Sequence, residues 1–369
     1  MVHRRKRAQN RGGVRGGRQR QAADKSVCTV ARKMPLPLEI TFVFRKRTTA
    51  TFSIEKLFDV LSAHLRSVGV IVRVIEVPFV SSGIISVLRN AWFVRRQTKT
   101  PLIHITGDVH YAALLCRNAR TIVTIHDCVV LQRGTGLKRF VLWALWFWLP
   151  IRAASAMTVI SDQTKRELLD TTWTPESRIS VIPNFVDPRF AFSERPFAAG
   201  RPSILHIGTT PNKNLPRVVQ ALRGIPCVLV IVGILSPDIA RDLDTNFIQY
   251  ENHVDIDDDS IGSLYRDADI ISFPSTYEGF GLPILEGQAS GRPILTSAVE
   301  PMCSVAGAGG ALVVDPYSVE QIRAGFLAIM HDDVLRSQLV AAGRQNCAKY
   351  SLERIAARYL SLYQEVLES

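Results

Sequence analysis

From Leu38 onward, short apolar runs rich in β-branched residues alternate with segments of helical length. Residues 39–44, 70–77, 102–105, 121–125, 156–160 and 179–182 form a first series of strands. A second series follows at 203–207, 227–232, 269–273, 293–296 and 311–314. Several of these runs are apolar throughout, as parallel strands covered by helices on both faces are. Strand–helix alternation over this length predicts a doubly wound α/β architecture. Residues 183–201 interrupt it: they hold Pro183, Pro188, Pro196 and Gly200, follow neither period, and read as a linker. The expected division is a first domain over 34–184, a second over 201–350 and a terminal segment 351–369. In that last segment Ile355, Ala356, Tyr359, Leu360, Tyr363, Val366 and Leu367 share one helical stripe, with Ser351 placed to cap it.

Charge changes the picture mainly at the N-terminus. The chain of 369 residues has 45 Lys plus Arg against 33 Asp plus Glu, a net charge of +12. Eleven of the basic residues and a single acid, Asp24, fall in residues 1–33, so that segment is +10 and the remainder, with 34 basic and 32 acidic residues, is only +2. A folded nucleic-acid-binding domain is therefore not expected. The segment itself, with Arg11-Gly12-Gly13 and Arg15-Gly16-Gly17, reads as a disordered basic tail able to bind RNA or anionic lipid by charge and stacking. A start at Met34 is the alternative. The six cysteines are widely spaced without a CxxC pair, so free thiols in a reducing compartment are expected. No apolar stretch follows the basic N-terminus, so no signal peptide is expected. The longest apolar run, residues 140–151, is twelve residues against the ~20 of a spanning helix. With Trp143, Trp146 and Trp148 it reads as a helix packed in the first domain or one dipping into a membrane interface.

The chemistry concentrates in Tyr277-Glu278-Gly279-Phe280-Gly281-Leu282-Pro283-Ile284-Leu285-Glu286. A strand ends before it, and Pro283 suits the first turn of a helix. Gly279 and Gly281 let the backbone approach a ligand, so that free amides at the helix start face an anion. Glu278 in the loop and Glu286 about one turn into the helix offer acceptors for sugar hydroxyls at the carboxyl ends of the strands, where ligands of open α/β sheets bind. Carboxylates for hydroxyls and amides for phosphate together describe a nucleotide-sugar site. Either glutamate alone also fits an ordinary strand–helix turn.

This string resembles the E-x7-E signature of glycosyltransferase family 4. Other stretches agree in order: His206-Ile207-Gly208-Thr209 with Lys213-Asn214, Leu264-Tyr265-Arg266-Asp267-Ala268-Asp269, Val181-Ile182-Pro183-Asn184-Phe185-Val186-Asp187, Ile125-His126-Asp127 and Val159-Ile160-Ser161. The resemblance spans about residues 38–367 and is most specific in the second half. It implies a GT-B fold: two Rossmann-like domains facing across a cleft, with a C-terminal helix crossing back to the first. It implies that Glu286 holds the donor ribose, that Glu278 contacts the transferred sugar, and that the backbone of Gly279, Phe280, Gly281 and Leu282 meets sugar and pyrophosphate. Gly208 and Thr209 belong to the phosphate loop, and Lys213 would neutralise the leaving pyrophosphate. Thr209 stands where many members carry an arginine. His126 is expected to contact the donor sugar through backbone and ring. On the acceptor side the candidates are His104 and the cations Arg45 and Arg47, in the loop 45–53, suited to an anionic acceptor. No metal and no cofactor is expected. Asp257-Asp258-Asp259 reads as a solvated helix N-terminus.

The expected function is a metal-independent retaining glycosyltransferase, moving a sugar from a nucleotide-diphosphate sugar to a hydroxyl of a glycan or lipid-linked acceptor. No carboxylate is placed as a covalent nucleophile in the first half, so same-face attack assisted by the departing phosphate is expected. The expected setting is cytoplasmic, at the inner face of a membrane with peripheral contact to it. A nucleotide-sugar epimerase of the same fold and an RNA-binding protein acting through the Arg/Gly tail are the alternatives.

Overall fold

A computed structural model describes residues 38–47, 53–116, 118–128 and 136–369. The basic segment 1–33 and most of the loop 45–53 lie outside the described residues. Two six-stranded parallel sheets organise the rest. The first has β1 (Glu39–Phe44), β2 (Ile71–Glu76), β3 (Leu102–Ile105), β4 (Arg120–Ile125), β5 (Ala156–Val159) and β6 (Ile179–Val181), in the order β2-β1-β3-β4-β5-β6. The second has β7 (Ser203–Ile207), β8 (Val228–Val232), β9 (Gln249–His253), β10 (Ile270–Phe273), β11 (Ile294–Ser297) and β12 (Leu312–Val314), in the order β12-β11-β10-β7-β8-β9. Every strand pairing within them is parallel. Central strands such as β3, β5 and β10 are buried along their whole length, which is why they read as mostly apolar runs, with His104, Thr158 and Ser272 as their polar members.

Strand β9 departs from expectation. Its sequence, QYENH, is polar, and the apolar pattern shows no strand there. It pairs on one side only, with β8, and its side chains are largely solvated. An edge strand at the rim of a sheet needs no apolar pattern, because the ladder hydrogen bonds hold it.

In each sheet the chain reverses direction across one gap, between β1 and β3 in the first and between β10 and β7 in the second. Loops leaving the carboxyl ends of these strands diverge there and open a crevice. The segment 182–202 connects the sheets without helix or strand. At its start Val186 N–H donates to Tyr350 O at 2.9 Å, joining the connection to the point where the chain returns.

The returning C-terminal helix, Leu352–Glu368, is capped by Ser351 and crosses back to the first sheet. It buries Tyr359 and Tyr363 beside helix α1 (Ser53–Ser67). His104, expected on the acceptor side, is instead sealed beneath this helix. Its Nδ1 pairs with Tyr363 OH at 2.8 Å and its Nε2 with Thr124 Oγ1 at 2.6 Å. Phe42, Phe58 and Tyr359 surround the ring. Burial pushes its pKa down to about 3, so it stays neutral and structural. Replacing Tyr363 with Phe leaves one buried ring nitrogen unpaired; we expect about 1–3 kcal/mol of lost stability, read by denaturant unfolding, with an unchanged value refuting the role.

The tryptophans of the apolar run are half-buried against the first half, while Phe140 and Val141 at its start are exposed. The run forms helix Gly136–Trp143, one π turn over Ala144–Trp148 and helix Leu149–Ala153. Trp143 Nε1 donates to Thr171 O at 2.9 Å and Trp146 Nε1 to Asp108 O at 3.0 Å, while Trp148 stacks on Trp143. No described helix is long and apolar enough to cross a membrane.

Candidate active site

The loops after β7 and β10 interlock at the crevice of the second sheet. Gly208 takes a φ of +90°, and a Cβ there would lie 2.9 Å from the Lys213 side chain. Glycine therefore lets the lysine fold back across its own loop. Asn214, in the left-handed region at φ +66°, starts helix Leu215–Ala221. Its buried Nδ2 donates to Pro274 O at 2.9 Å and Pro316 O at 2.6 Å. Thr276 N–H donates to Asn212 O at 2.8 Å, and Asn212 Nδ2 to Tyr277 O at 3.0 Å. The two loops thus form one rigid unit.

On that unit Lys213 Nζ meets Glu278 Oε1 at 2.7 Å and sits 4.8 Å from the centre of the Phe273 ring. Asn212 Nδ2 reaches the same carboxylate oxygen at 3.3 Å. Gly281, at φ +112°, turns the chain into helix Leu282–Ala289, with Pro283 in its first turn. From this helix Glu286 faces the crevice, and its Oε2 accepts from Tyr265 OH at 2.6 Å. Burial raises the Glu286 pKa to about 7, while the Tyr265 bond pulls the other way.

Lys213 and Glu278 are therefore paired beside Gly208, and Glu286 stands on the helix that the same loop enters. Others take different parts. Phe280 is buried with its ring edge-on to Tyr350, so only its backbone can serve a ligand. Thr209 Oγ1 donates to Ile234 O at 2.7 Å, so its hydroxyl proton is committed to the loop after β8 rather than free for a phosphate. His126 is buried, its Nε2–H held by Thr106 O at 2.8 Å, and burial lowers its pKa. Its ring is turned into the first half, and it reaches the seam through its backbone carbonyl.

That carbonyl faces Gly279: a Cβ on Gly279 would lie 2.3 Å from His126 O. Ser161 Oγ donates to Gly279 O at 2.9 Å, and Tyr277 OH to Glu167 Oε2 at 3.1 Å. The Glu278–Gly281 loop is thus pressed against the ends of β4 and β5. Asp257 caps helix Asp258–Asp267 through Ser260 N–H, but Asp258 is not simply solvated. It pairs with Lys56 from α1 and, at 2.7 Å, with Arg189 from the connecting segment.

The proposed acceptor cations are also already matched. Arg45 Nε meets the buried Glu55 at 2.7 Å and its Nη1 meets Asp108 at 2.9 Å. Arg47 meets Asp59 at 2.8 Å and Glu76 at 3.5 Å, and Lys46 meets Glu76 at 3.2 Å. Each of these cations thus already faces a carboxylate of the first sheet's crevice, so an anionic acceptor would have to displace those pairings. Motif reasoning passed over Tyr265, Asn212, Ser161 and Glu167 as working parts. Tyr265 had the strongest signal, one face of a helix immediately before β10.

Two parallel sheets whose switch-point crevices adjoin, with the chain returning to the first, define a GT-B-type fold. The description Glycosyltransferase Family 4 matches residues 39–190, and Glycosyl transferases group 1 matches residues 189–346. The chain belongs to glycosyltransferase family 4. It is 32% identical over 174 residues to O-antigen chain mannosyltransferase B of Escherichia coli, covering 43% of this chain and 45% of that protein. It is 30% identical over 162 residues to the phosphatidyl-myo-inositol mannosyltransferase of Mycobacterium tuberculosis, covering 42% of each. The matches thus span less than half the length of these relatives. Among solved structures, a sucrose-phosphate synthase from Thermosynechococcus elongatus superposes with a TM-score of 0.74 at 18% identity, over 90% of this chain and 99% of that one. HepE from Anabaena, in complex with UDP and glucose, gives 0.72 at 13% identity, over 89% and 100%.

Proposed function

We propose that this protein transfers a sugar, with retention of configuration, from a nucleotide-diphosphate sugar to a hydroxyl of a glycan or lipid-linked acceptor. The observation that carries this reading is the convergence of Lys213, Glu278 and Glu286 on the interlocked loops at the switch point of the second sheet. In this reading Glu286 accepts from the ribose hydroxyls and the backbone of Gly279 to Leu282 approaches sugar and phosphate. Lys213 leaves Glu278 for the pyrophosphate, which frees the Glu278 carboxylate to accept from the transferred sugar. Charge building on the leaving phosphate meets the lysine, and that phosphate takes the proton from the attacking hydroxyl on the same face. The seam at Gly279 excludes water from this step. The UDP and glucose in the HepE complex and the mannosyltransferase names support uridine, glucosyl and mannosyl ligands as the first to try.

A thermal-shift panel of nucleoside diphosphates, followed by nucleotide-sugar turnover with and without acceptor, tests it. A ligand at 100 times its dissociation constant stabilises by about 2.7 kcal/mol. Acceptor-dependent release of nucleoside diphosphate supports transfer. A free nucleotide sugar altered without acceptor supports the epimerase instead, and no shift with any nucleotide refutes the site.

The raised pKa of Glu286 gives a second check. Only the carboxylate accepts fully from two ribose hydroxyls, and the diphosphate of a nucleotide sugar, being doubly esterified, does not titrate near neutrality. Affinity should therefore rise as pH rises through about 7, and below it fall by up to about tenfold per unit. Glu286→Gln should bind weakly with a flat profile. Titration calorimetry across pH checks this, and a wild-type profile equally flat refutes it.

A further inference from the structure

We propose that the second half carries a separate site for a phosphorylated monosaccharide, in a cleft at the amino ends of β10 and β11. The cleft has a volume of about 650 Å³, within the usual range for small-ligand sites. Three stretches line it: 192–197 of the connecting segment, the turn 291–293 before β11, and one face of helix Asp333–Cys347. Lys213 and Glu278 stand in loops at the opposite, carboxyl ends of the same sheet, so the cleft is no part of their crevice.

Four arginines, Arg195, Arg292, Arg336 and Arg344, face this space. Arg292 is 5% exposed and forms no ion pair among the described residues. Its Nη2 donates to Ser193 O at 2.7 Å and to Ser193 Oγ at 2.6 Å, both neutral acceptors. Its buried Nε has no hydrogen-bond partner among the described residues. Burial, and then the charge of Arg195, lowers the Arg292 pKa, with Asp269 and Asp267 pulling the other way. A buried guanidinium held by neutral partners alone is costly, and an anion in the cleft would answer it. Arg195, the neighbouring cation, has only long pairings, 3.5 Å to Asp269 and 3.7 Å to Asp267. The Asp269 carboxylate is itself occupied, accepting from Ala198 N–H at 3.2 Å and Ser203 N–H at 2.8 Å. Arg195 and Arg292 are thus the pair placed to grip a phosphate, whose oxygens take several guanidinium N–H groups at once.

The rest of the lining suits a sugar. The guanidinium carbons of Arg344 and Arg336 lie 4.0 Å and 3.9 Å from the ring centres of Phe192 and Phe197, which steadies both rings. A Cβ on Gly291 would lie 2.6 Å from the Phe192 ring, so this turn is shaped to seat it. Arg336 also pairs with Asp333. Glu194 is exposed, forms no ion pair among the described residues, and can accept from hydroxyls. With Asp333 it opposes a polyanion such as nucleic acid. One phosphate on a small hydroxyl-rich body fits a lining of four arginines, three acids and two aromatic rings. The inference goes beyond the transferase reading, and its test needs neither donor nor acceptor.

The experiment is titration calorimetry of the full chain with glucose 6-phosphate and mannose 6-phosphate, beside glucose and inorganic phosphate. At least one sugar phosphate should bind, inorganic phosphate should bind more weakly, and glucose should not bind. Arg195→Gln should weaken the sugar phosphate by about tenfold or more, the usual loss of a hydrogen bond between charged groups. Arg195 is exposed, so an unchanged thermal midpoint accompanies the loss, as does unchanged binding of nucleoside diphosphate. Lys213→Ala should bind the sugar phosphate as wild type does. No binding of either sugar phosphate by wild type overturns the proposal, as does inorganic phosphate binding equally well. Equal binding by wild type and Arg195→Gln overturns it too, and its loss in Lys213→Ala would move the ligand to the crevice instead.

Discussion

Replacing Lys213 with alanine is expected to lower kcat by about 10²–10³-fold, the usual cost of removing a preorganised group that meets charge developing in a transition state. The expectation rests on geometry. Gly208 has no side chain, so Lys213 lies across the loop with its ammonium held by Glu278 at 2.7 Å and by the face of Phe273. Few rotamers are left to lose when a diphosphate arrives. A trivial explanation is that the lysine only neutralises Glu278. The double variant Lys213→Ala with Glu278→Gln separates the two. If neutralisation were the whole role, the double variant would recover the rate; action on the leaving phosphate leaves it as slow as Lys213→Ala or slower. Single-turnover kinetics on the four proteins of this cycle decide the matter.

Gly279→Ala is expected to be comparably damaging by a different route. The added methyl carbon would sit 2.3 Å from His126 O, and a backbone carbonyl cannot swing aside as a side chain can. Either the loop or the whole second sheet must retreat, with loss of the Ser161 hydrogen bond to Gly279 O. A displacement on the order of 1 Å at a reacting centre costs about 10²-fold in rate. The nucleotide itself is held by the second half, so its affinity should change much less than kcat. Steady-state kinetics beside calorimetric nucleotide binding check the split. A normal kcat would show that the seam at Gly279 has no part in turnover, while equal losses in binding and rate would point to local misfolding.

Much of this was legible in the sequence, for a physical reason. Strands such as β5 and β10 are buried on both faces, so nearly every residue in them must be apolar, and the run announces itself. The glycines and glutamates of the 278–286 string stand at fixed offsets from a strand end and a helix start, so backbone geometry brings them together. What stayed hidden depends on partners distant in sequence. His104 looks like a site residue until Tyr363, 259 residues away, is seen to bond it. Arg45 and Arg47 look like free cations until Glu55, Asp59, Glu76 and Asp108 are seen to face them. The sequence shows a charge and its sign, and only the fold shows whether that charge is already answered. For β9 the missing information was of another kind, since an edge strand is held by main-chain bonds that side-chain pattern does not encode.

The chain passes between the two sheets twice, outward through 182–202 and back between Tyr350 and the C-terminal helix. Val186 N–H and Tyr350 O fasten these passages to each other. Two crossings fastened at one place act as a hinge pin. Sliding or twisting one half over the other would shear that bond, whereas swinging about the line through the crossings leaves it whole. The other contacts described between the halves, the hydrogen bonds at Gly279 and Tyr277 and the Lys56–Asp258 ion pair, are polar and can part and re-form. Any opening of the crevice is therefore confined to one arc.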